Sequence, residues 1–206
     1  MRLLVVCFMV FCCSCVQAAA LSFSRLKVPA EFEKAALEAI QQYPELQNAD
    51  IEIVFRNIKT TMAARPRFFS IFGDKRKYRI YIDTKISNNN GILLSDASYN
   101  AQVGIFGHEF AHILDYETKT GKEVVYDGFR FLVKHNIGLY EKYIDYVTIE
   151  RGLGAQLEEW SHFVLETSAA SESYKSFKKR HYFSAKEIEK IKHFCSSRHS
   201  ENGTGS

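Results

Sequence analysis

Three features of this 206-residue sequence predict an α+β domain. Apolar residues repeat at helical spacing from about residue 29, short segments with strand-like alternation follow, and the second half carries helix signals throughout. This order of a helix, a small sheet and further helices differs from the regular strand–helix alternation that builds parallel sheets. A content of 46% apolar and 25% charged residues suits one globular domain with its own core.

The first helix is predicted over residues 29–43. Pro29 fits the first helical position, where its missing N–H costs no hydrogen bond, and strong helix formers follow it. One side of this helix carries its large or apolar side chains, namely Phe32, Ala36, Ile40 and Tyr43. We therefore expect that side to face the core, and we expect residues 44–50 to form a loop.

Three segments are predicted to form strands: residues 51–55, 66–72 and 78–83. The last two flank a turn at residues 73–77, which predicts a hairpin. In the third strand Tyr78, Ile80 and Ile82 share one face, which we expect to be buried. Its other face is polar, so this strand is our candidate edge strand for pairing with an extended peptide. The alternative is an interior strand with one solvated face.

Five helices are predicted in the second half of the chain. They cover about residues 98–116, 122–134, 139–151, 156–166 and 185–194. Ser98 or Asn100 is expected to cap the first of them, and Gly152 is expected to end the third. These helices follow a break in the chain at residues 87–91, which are polar and end in glycine.

The C-terminal part of the sequence contains two polar segments. Residues 175–181 form a basic run, which we interpret as a solvated surface or linker rather than as an anion-binding patch. Ser184 and Glu187 have the spacing of a capping box before the last predicted helix. The tail at residues 200–206 is small and polar, and we expect it to be disordered.

Residues 1–20 are predicted to be a cleaved signal peptide. Arg2 is their only charged residue, residues 3–16 are almost wholly apolar, and small residues follow at positions 18–20. This apolar run is shorter than the roughly 20 residues that a transmembrane anchor needs. We therefore expect a secreted or periplasmic protein without stable membrane insertion, whose single domain covers residues 21–206. A lipid-anchored protein and an uncleaved anchor remain as alternatives.

Removal of the signal peptide changes how the cysteines and the charge are interpreted. Four of the five cysteines lie in the signal peptide and only Cys195 remains, so no intrachain disulfide is expected. The removed segment contains one arginine and no acidic residue, which leaves 27 − 1 = 26 basic against 24 acidic residues. This near balance argues against a nucleic-acid-binding protein. We expect a monomer that is stabilised by its core or by a metal.

The sharpest signal in the sequence is the H-E-x-x-H motif formed by His108, Glu109 and His112. On a helix, positions i and i+4 lie on one face about 6 Å apart, so the two histidines can bind one zinc ion. Glu109 points about 100° away from His108 and can reach a metal-bound water as a general base. The motif has apolar neighbours, and buried polar groups need a partner such as a metal. Gly104 and Gly107 permit another backbone to approach closely.

The third metal ligand must come from outside this motif. Asp115 and Thr118 occupy the positions where the metzincin pattern requires glycine and histidine, so that pattern is absent. Glu141 can complete a site with the two histidines, and Asp145, one turn later, can accept the free N–H of a ligating histidine. The rival third ligands are Glu150, Glu158, Glu159, Asp145 and Asp115. For Asp115 we prefer support of the ligands or helix packing.

With these two motifs the sequence resembles the gluzincin branch of the zinc metallopeptidases. His108, Glu109 and His112 match its H-E-x-x-H motif, and Glu141 and Asp145 match its E-x-x-x-D motif, with 28 residues between His112 and Glu141. The resemblance is confined to the part of the chain that holds both motifs. It implies a zincin-like fold, in which a small twisted sheet packs on the active-site helix and a helical C-terminal part follows. It also implies Zn²⁺ as the cofactor.

The predicted function is zinc-dependent hydrolysis of peptide bonds by an exported protein, with a peptide or protein as substrate. Glu109 would take a proton from the water that the zinc activates and pass it to the leaving amine. A further donor usually stabilises the developing oxyanion. The sequence leaves five candidates for this donor: Tyr116, His135, Tyr146, Arg151 and His162.

Two alternatives to a peptidase remain. The first is an exported metal-binding or peptide-binding module that keeps the zincin frame but has little turnover. Glu109 argues against it, because a structural zinc site needs no base and normally closes with four protein ligands. The second is a zinc hydrolase that acts on a non-peptide amide.

Overall fold

The computed structural model describes residues 21–73, 75–85, 91–132 and 137–202. The predicted signal peptide, His135 and the tail residues 203–206 lie outside the described residues. Within these ranges, buried apolar side chains form a core between a small sheet and the helices that cover one of its faces. No helix in the described part of the chain is long and apolar enough to cross a membrane.

A mixed four-stranded sheet forms the β part of the fold. Its strands are β1 (Leu26–Lys27), β2 (Asp50–Phe55), β3 (Met62–Pro66) and β4 (Lys77–Ile82), and they lie in the order β1-β2-β4-β3. The β1–β2 and β2–β4 pairs are parallel, whereas β3 and β4 are antiparallel. A small sheet combined with several helices confirms the coarse α+β class that the sequence predicts.

The place of β4 in the sheet corrects the prediction that this strand lies at an edge. β4 pairs with β2 on one side and with β3 on the other, so the edges of the described sheet are β1 and β3. The predicted inward face is confirmed, because Tyr78, Ile80 and Ile82 are all buried. Alternation shows which face of a strand is buried, but it carries no information about the strand's neighbours.

The predicted strand at residues 66–72 is wrong in its bounds. β3 ends at Pro66, and the chain then forms a short 3₁₀ helix at Phe68–Ser70 before it returns as β4. Proline lacks the N–H that a strand interior requires, so it suits the end of a strand. The antiparallel pairing of the two strands agrees with the prediction, with Ala64 opposite Ile80.

Seven α-helices make up the rest of the described fold. They are α1 (Glu33–Ile40), α2 (Tyr99–Glu117), α3 (Gly121–Leu132), α4 (Ile137–Thr148), α5 (Gly154–His162), α6 (Glu172–His181) and α7 (Ala185–Asn202). A 3₁₀ turn at Ala30–Phe32 precedes α1, and another at Pro44–Leu46 follows it. Two π-helical segments, Ile149–Leu153 and Phe163–Thr167, follow α4 and α5. The prediction that helices dominate the second half of the chain is therefore confirmed for the described residues.

Several predicted helix boundaries agree with the structure. The Ser98 side chain accepts a hydrogen bond from the Ala101 N–H and caps α2. Gly152 has a φ of 84°, a left-handed conformation that favours glycine, and it interrupts the helical path between α4 and α5. Ser184 and Glu187 form the predicted capping box before α7 through reciprocal side-chain-to-backbone hydrogen bonds.

The segment at residues 175–181 is part of helix α6 and not a linker. The Ser171 side chain caps this helix by accepting a hydrogen bond from the Tyr174 N–H. Tyr174 and Lys178 are buried, while Lys179 and Arg180 are exposed. The sequence does not predict this helix, because its inner face carries few apolar residues. The predicted disordered tail also needs correction, since α7 extends to Asn202 and includes residues 200–202.

Helix α2 occupies the centre of the helical layer because it carries glycine where its neighbours approach. A Cβ atom at Gly104 would overlap the backbone of Gln156 on α5, and one at Gly107 would overlap the Leu153 side chain. The Tyr43 hydroxyl donates a hydrogen bond of 2.7 Å to the Gly107 carbonyl. The predicted close backbone approach beside the H-E-x-x-H motif is thus present, and it fixes α2 between α1 and α5.

Candidate metal centre

The H-E-x-x-H motif lies in the buried middle of α2. His108, Glu109 and His112 are 2%, 3% and 7% exposed. Apolar residues on both sides of the motif bury the helix, so these three polar side chains enter the interior with it. Their spacing puts both imidazoles on one side of α2, with ring centroids 4.8 Å apart.

Helix α4 brings the second motif to the same place. Glu141 and Asp145 are 5% and 2% exposed, and both contact His108. Glu141 Oε2 lies 3.2 Å from His108 Nε2 and 3.4 Å from His112 Nε2, and the two Nε2 atoms are 3.1 Å apart. In the described part of the chain, these three residues form the one cluster that could hold a metal ion.

The spacing of the three atoms fits a tetrahedral metal site. Bonds of about 2.0–2.1 Å from zinc to nitrogen or oxygen place tetrahedral ligand atoms about 3.3–3.4 Å apart. The three observed separations of 3.1, 3.2 and 3.4 Å lie close to this value. His108, His112 and Glu141 are therefore spaced as three ligands of one metal ion would be.

Hydrogen bonding determines which nitrogen of His108 faces the cluster. His108 Nδ1 donates to Asp145 Oδ1 over 2.8 Å, so in the neutral ring Nε2 presents a lone pair. The second oxygen of Asp145 accepts from the Phe183 N–H at 2.9 Å. Because both oxygens have donors, the Asp145 carboxylate is held in place and holds the His108 ring in turn. The sequence predicts this contact between Asp145 and a histidine of the motif.

Positive charge is favoured where these groups converge. Burial lowers the pKa of His108, but the hydrogen bonds and negative charges of Asp145 and Glu141 outweigh it and raise the pKa to about 10. Burial has the opposite effect on Glu141 and raises its pKa, but the charges and hydrogen bonds of His112 and His108 outweigh it and hold the pKa well below its usual range. The two shifts have one physical cause, the attraction between a buried carboxylate and a positively charged imidazole, and a bound metal ion would supply positive charge at the same place.

His112 is supported by a chain of polar contacts that the sequence did not predict. The Tyr140 hydroxyl lies 3.5 Å from His112 Nδ1 and donates a hydrogen bond of 2.7 Å to Asp115 Oδ2. Lys119 Nζ lies 2.5 Å from the same Asp115 oxygen. Asp115 therefore contacts the histidine cluster through Tyr140.

Glu109 points away from the three candidate ligands and toward the sheet. Its Oε2 accepts a hydrogen bond of 2.5 Å from the backbone N–H of Ala64 on the edge strand β3. β3 pairs with β4 through its neighbouring residues, including an Arg67 N–H to Lys77 carbonyl bond, so the Ala64 N–H points outward from the sheet. One oxygen of the Glu109 carboxylate is therefore held by the sheet.

The rival third ligands lie elsewhere or have other partners. Glu150 accepts from the Tyr146 hydroxyl at 2.5 Å on the surface, and Glu158 forms an ion pair with Lys192 at 2.6 Å. Two side chains near the start of α2 donate to Glu159. These glutamates are therefore separate from the histidine cluster, and Asp145 and Asp115 are the supporting groups described above.

Among the candidate oxyanion donors within the described residues, Tyr116 lies at the cluster. Its ring centroid is 6.3 Å from that of His112, and the planes are nearly parallel. Burial and then the charges of Glu141 and Glu109 raise the pKa of Tyr116, which keeps it protonated. The other described candidates are engaged on the surface, as Arg151 is with Glu45 at 2.7 Å. The Tyr146 hydroxyl donates to Glu150, and His162 lies beside Glu166 one helical turn later.

Tyr182 is a site residue that sequence reasoning missed. Its ring centroid lies 5.6 Å from that of His108, and Lys178 Nζ lies 3.7 Å from the centre of the Tyr182 ring. Burial, followed by the charge of Glu141, raises the pKa of Tyr182 far above its usual range. No motif marks this tyrosine, because it follows α6 by one residue and reaches the cluster only through packing.

Comparison with protein-family models, with curated proteins and with solved structures finds no match to this chain.

Proposed function

We propose that this protein is an exported zinc-dependent metallopeptidase with a zincin-like fold. The observation that carries the proposal is the convergence of His108 Nε2, His112 Nε2 and Glu141 Oε2 within 3.4 Å of one another, on a helix where Glu109 directly follows His108. Two nitrogens and one carboxylate oxygen at tetrahedral spacing form the ligand set of catalytic zinc sites, which keep one position open. The resemblance to gluzincins from the two sequence motifs supports the same proposal.

Zinc is the metal that this donor set favours, and when bound it supplies a water of lowered pKa and polarises the substrate carbonyl. His108 and His112 would each contribute Nε2, and Glu141 one carboxylate oxygen. Asp145 holds His108 in the tautomer that leaves Nε2 free, and Tyr140 contacts the Nδ1 side of His112.

Glu109 moves the proton in the proposed reaction. It accepts one proton from the attacking water as the new C–O bond forms, and it delivers that proton to the amine as the C–N bond breaks. The Ala64 N–H holds one carboxylate oxygen, so the carboxylate keeps its orientation through both transfers. This backbone bond also ties the general base to the strand that forms the edge of the sheet.

The strand β3 takes the substrate-binding role in this proposal. It is an edge strand of the described sheet and lies next to α2 through the Ala64–Glu109 hydrogen bond. An extended peptide that pairs with β3 would bring its backbone beside the metal ligands. The sequence had suggested β4 for this role, which its interior position rules out.

Tyr182 is the oxyanion donor in this proposal. Its raised pKa keeps the hydroxyl protonated, so that it can donate a hydrogen bond, and the Lys178 ammonium packs over the ring. Tyr116 is the second tyrosine beside the histidines, so a Tyr116 variant is the control for a Tyr182 variant.

The test combines zinc content with activity on a peptide library. Wild-type protein should hold one zinc ion per chain and cleave peptides, Glu109→Gln should keep the zinc and lose activity, and Glu141→Ala should bind zinc at least about tenfold more weakly. Glu150→Gln is the matched control, because Glu150 is exposed and lies two turns beyond Glu141 on the same helical path. Wild-type protein without stoichiometric zinc would contradict the proposal.

The other outcomes separate the alternatives. Stoichiometric zinc without turnover of any peptide would indicate the binding module, and turnover of a non-peptide amide alone would indicate the wider hydrolase class. Wild-type zinc affinity in Glu141→Ala would show that the third ligand is a different residue.

A further inference from the structure

We propose that the connection between β3 and β4 docks this protein onto the surface of a membrane that contains anionic lipids. The aromatic segment, defined as residues 68–72, carries three phenylalanines within five positions. Phe68, Phe69 and Phe72 are 71%, 101% and 70% exposed, so each ring lies largely in solvent. Isolated exposed apolar residues are common, but a cluster of large exposed rings marks an interaction surface.

The aromatic segment is held in place while its rings remain exposed. Ile71, between the phenylalanines, is buried and anchors the segment to the fold. The Ser70 hydroxyl donates to the Arg67 carbonyl at 2.8 Å and accepts from the Lys77 N–H at 3.0 Å, which closes the short 3₁₀ turn. The exposed rings therefore belong to an ordered turn, with the Phe68 and Phe69 ring centroids 5.6 Å apart.

Positive charge is concentrated around this segment. Residues 61–80 contain six basic residues (Arg65, Arg67, Lys75, Arg76, Lys77 and Arg79) and one acidic residue, a net charge of 6 − 1 = +5. Because the whole chain carries +3, the remaining residues sum to 3 − 5 = −2. The excess positive charge of the protein is thus located beside its exposed phenylalanines.

Part of this charge has no acidic partner among the described residues. Arg79 pairs with Glu52 at 2.7 Å, and Lys77 Nζ lies 3.7 Å from an Asp50 oxygen. The side chains of Arg65, Arg67 and Lys75 are exposed, and none of them forms an ion pair within the described residues. These exposed side chains are therefore accessible to anionic groups.

An anionic membrane surface fits this combination better than a peptide or a nucleic acid does. Aromatic rings enter the boundary between headgroups and acyl chains, while lysine and arginine bind the anionic headgroups above it. An extended peptide would pair with the free edge of β3, which ends at Pro66, whereas the fully exposed Phe69 ring lies beyond that edge and projects into solvent. The proposal is independent of catalysis, and it would hold the edge strand β3 close to the membrane.

Co-sedimentation with lipid vesicles tests the proposal. Full-length mature protein should bind vesicles of phosphatidylcholine mixed with phosphatidylserine, bind pure phosphatidylcholine weakly, and dissociate as the salt concentration rises. F68S/F69S/F72S should lower the vesicle partition coefficient at least about tenfold, because three rings no longer enter the interface. R65Q/R67Q should lower it by about tenfold on anionic vesicles alone.

Matched controls on other helices distinguish specific docking from nonspecific adsorption to vesicles. L139S/Y143S removes two exposed apolar side chains of α4, and K179Q/R180Q removes two exposed charges of α6. Both controls should bind like wild-type protein, and far-ultraviolet circular dichroism should show that every variant is folded. The proposal would be overturned if wild-type protein did not bind anionic vesicles. It would also be overturned if the controls lost as much binding as the test variants. Unchanged vesicle binding with a raised KM for peptides in F68S/F69S/F72S would assign the segment to substrate binding instead.

Discussion

Replacing Asp145 with asparagine removes the charge that orients His108 while it preserves the shape of the side chain. The two oxygens of Asp145 accept separate hydrogen bonds, one of 2.8 Å from His108 Nδ1 and one of 2.9 Å from the Phe183 N–H. Asparagine has one acceptor oxygen, so its NH₂ group must face one of these two donors. The variant therefore loses one hydrogen bond and places two donors against each other.

The expected effect is a weaker metal site in a folded protein. A hydrogen bond to a charged group contributes about 1.5–3 kcal/mol. Loss of a group that supports a metal ligand lowers metal affinity about 10–100-fold, or about 1.4–2.7 kcal/mol, in agreement with that range. We therefore expect Asp145→Asn to raise the dissociation constant for zinc by one to two orders of magnitude.

Competition with a chromogenic zinc chelator measures this constant. Asp50→Asn is the control, because Asp50 lies on the outer face of the sheet, 3.7 Å from Lys77 Nζ, and its loss should change zinc affinity less than about twofold. Near-ultraviolet circular dichroism would show whether Asp145→Asn keeps its tertiary packing. A folded Asp145→Asn with the zinc affinity of wild-type protein would refute the proposed orientation of His108.

Three further predictions follow from other parts of the structure. Gly104→Ala should destabilise the protein by about 1–3 kcal/mol, because the new methyl group meets the α5 backbone. Gly128→Ala should stabilise the protein by up to about 1 kcal/mol, since nothing lies within 4 Å of that position. Equal melting temperatures for the two variants would contradict the close packing of α2 against α5. Metal-free protein should lose stability as the pH rises from 6.5 toward about 10, because the raised pKa of His108 keeps a proton on the folded state that the unfolded chain has already released. Urea unfolding with a chelator at a series of pH values measures this, and stability that rises over the same interval would count against it. Tyr182→Phe should lower kcat about 100-fold with unchanged zinc content, while Tyr116→Phe should have a smaller effect; the reverse order in steady-state assays would transfer the donor role to Tyr116.

The local patterns of the sequence predict its local structure well. Ser98 caps α2, Gly152 interrupts the path after α4, and Ser184 with Glu187 begins α7, because each feature depends on hydrogen bonds or backbone angles within a few residues. The basic helix α6 was missed for a related reason, since a short helix with few apolar residues has little periodicity to detect.

The candidate site divides in the same way. The i, i+4 spacing on one helix was enough to predict that His108 and His112 share a face. Glu141 was one of several possible third ligands in the sequence, and only the crossing of α2 and α4 brings its carboxylate to both imidazoles. Tyr182 and Tyr140 carried no pattern at all, because packing between distant segments places them.

The sequence by itself therefore determined the coarse α+β class, the inward face of β4 and the helix that carries the H-E-x-x-H motif, since these follow from periodicity and spacing along one element. Tertiary structure alone decided the strand order that makes β3 an edge and β4 interior, the contact between Ala64 and Glu109, and the support of His112 by Tyr140 and Asp115. These features join residues that are distant in the chain. Their geometry depends on how whole elements pack, which no local pattern records.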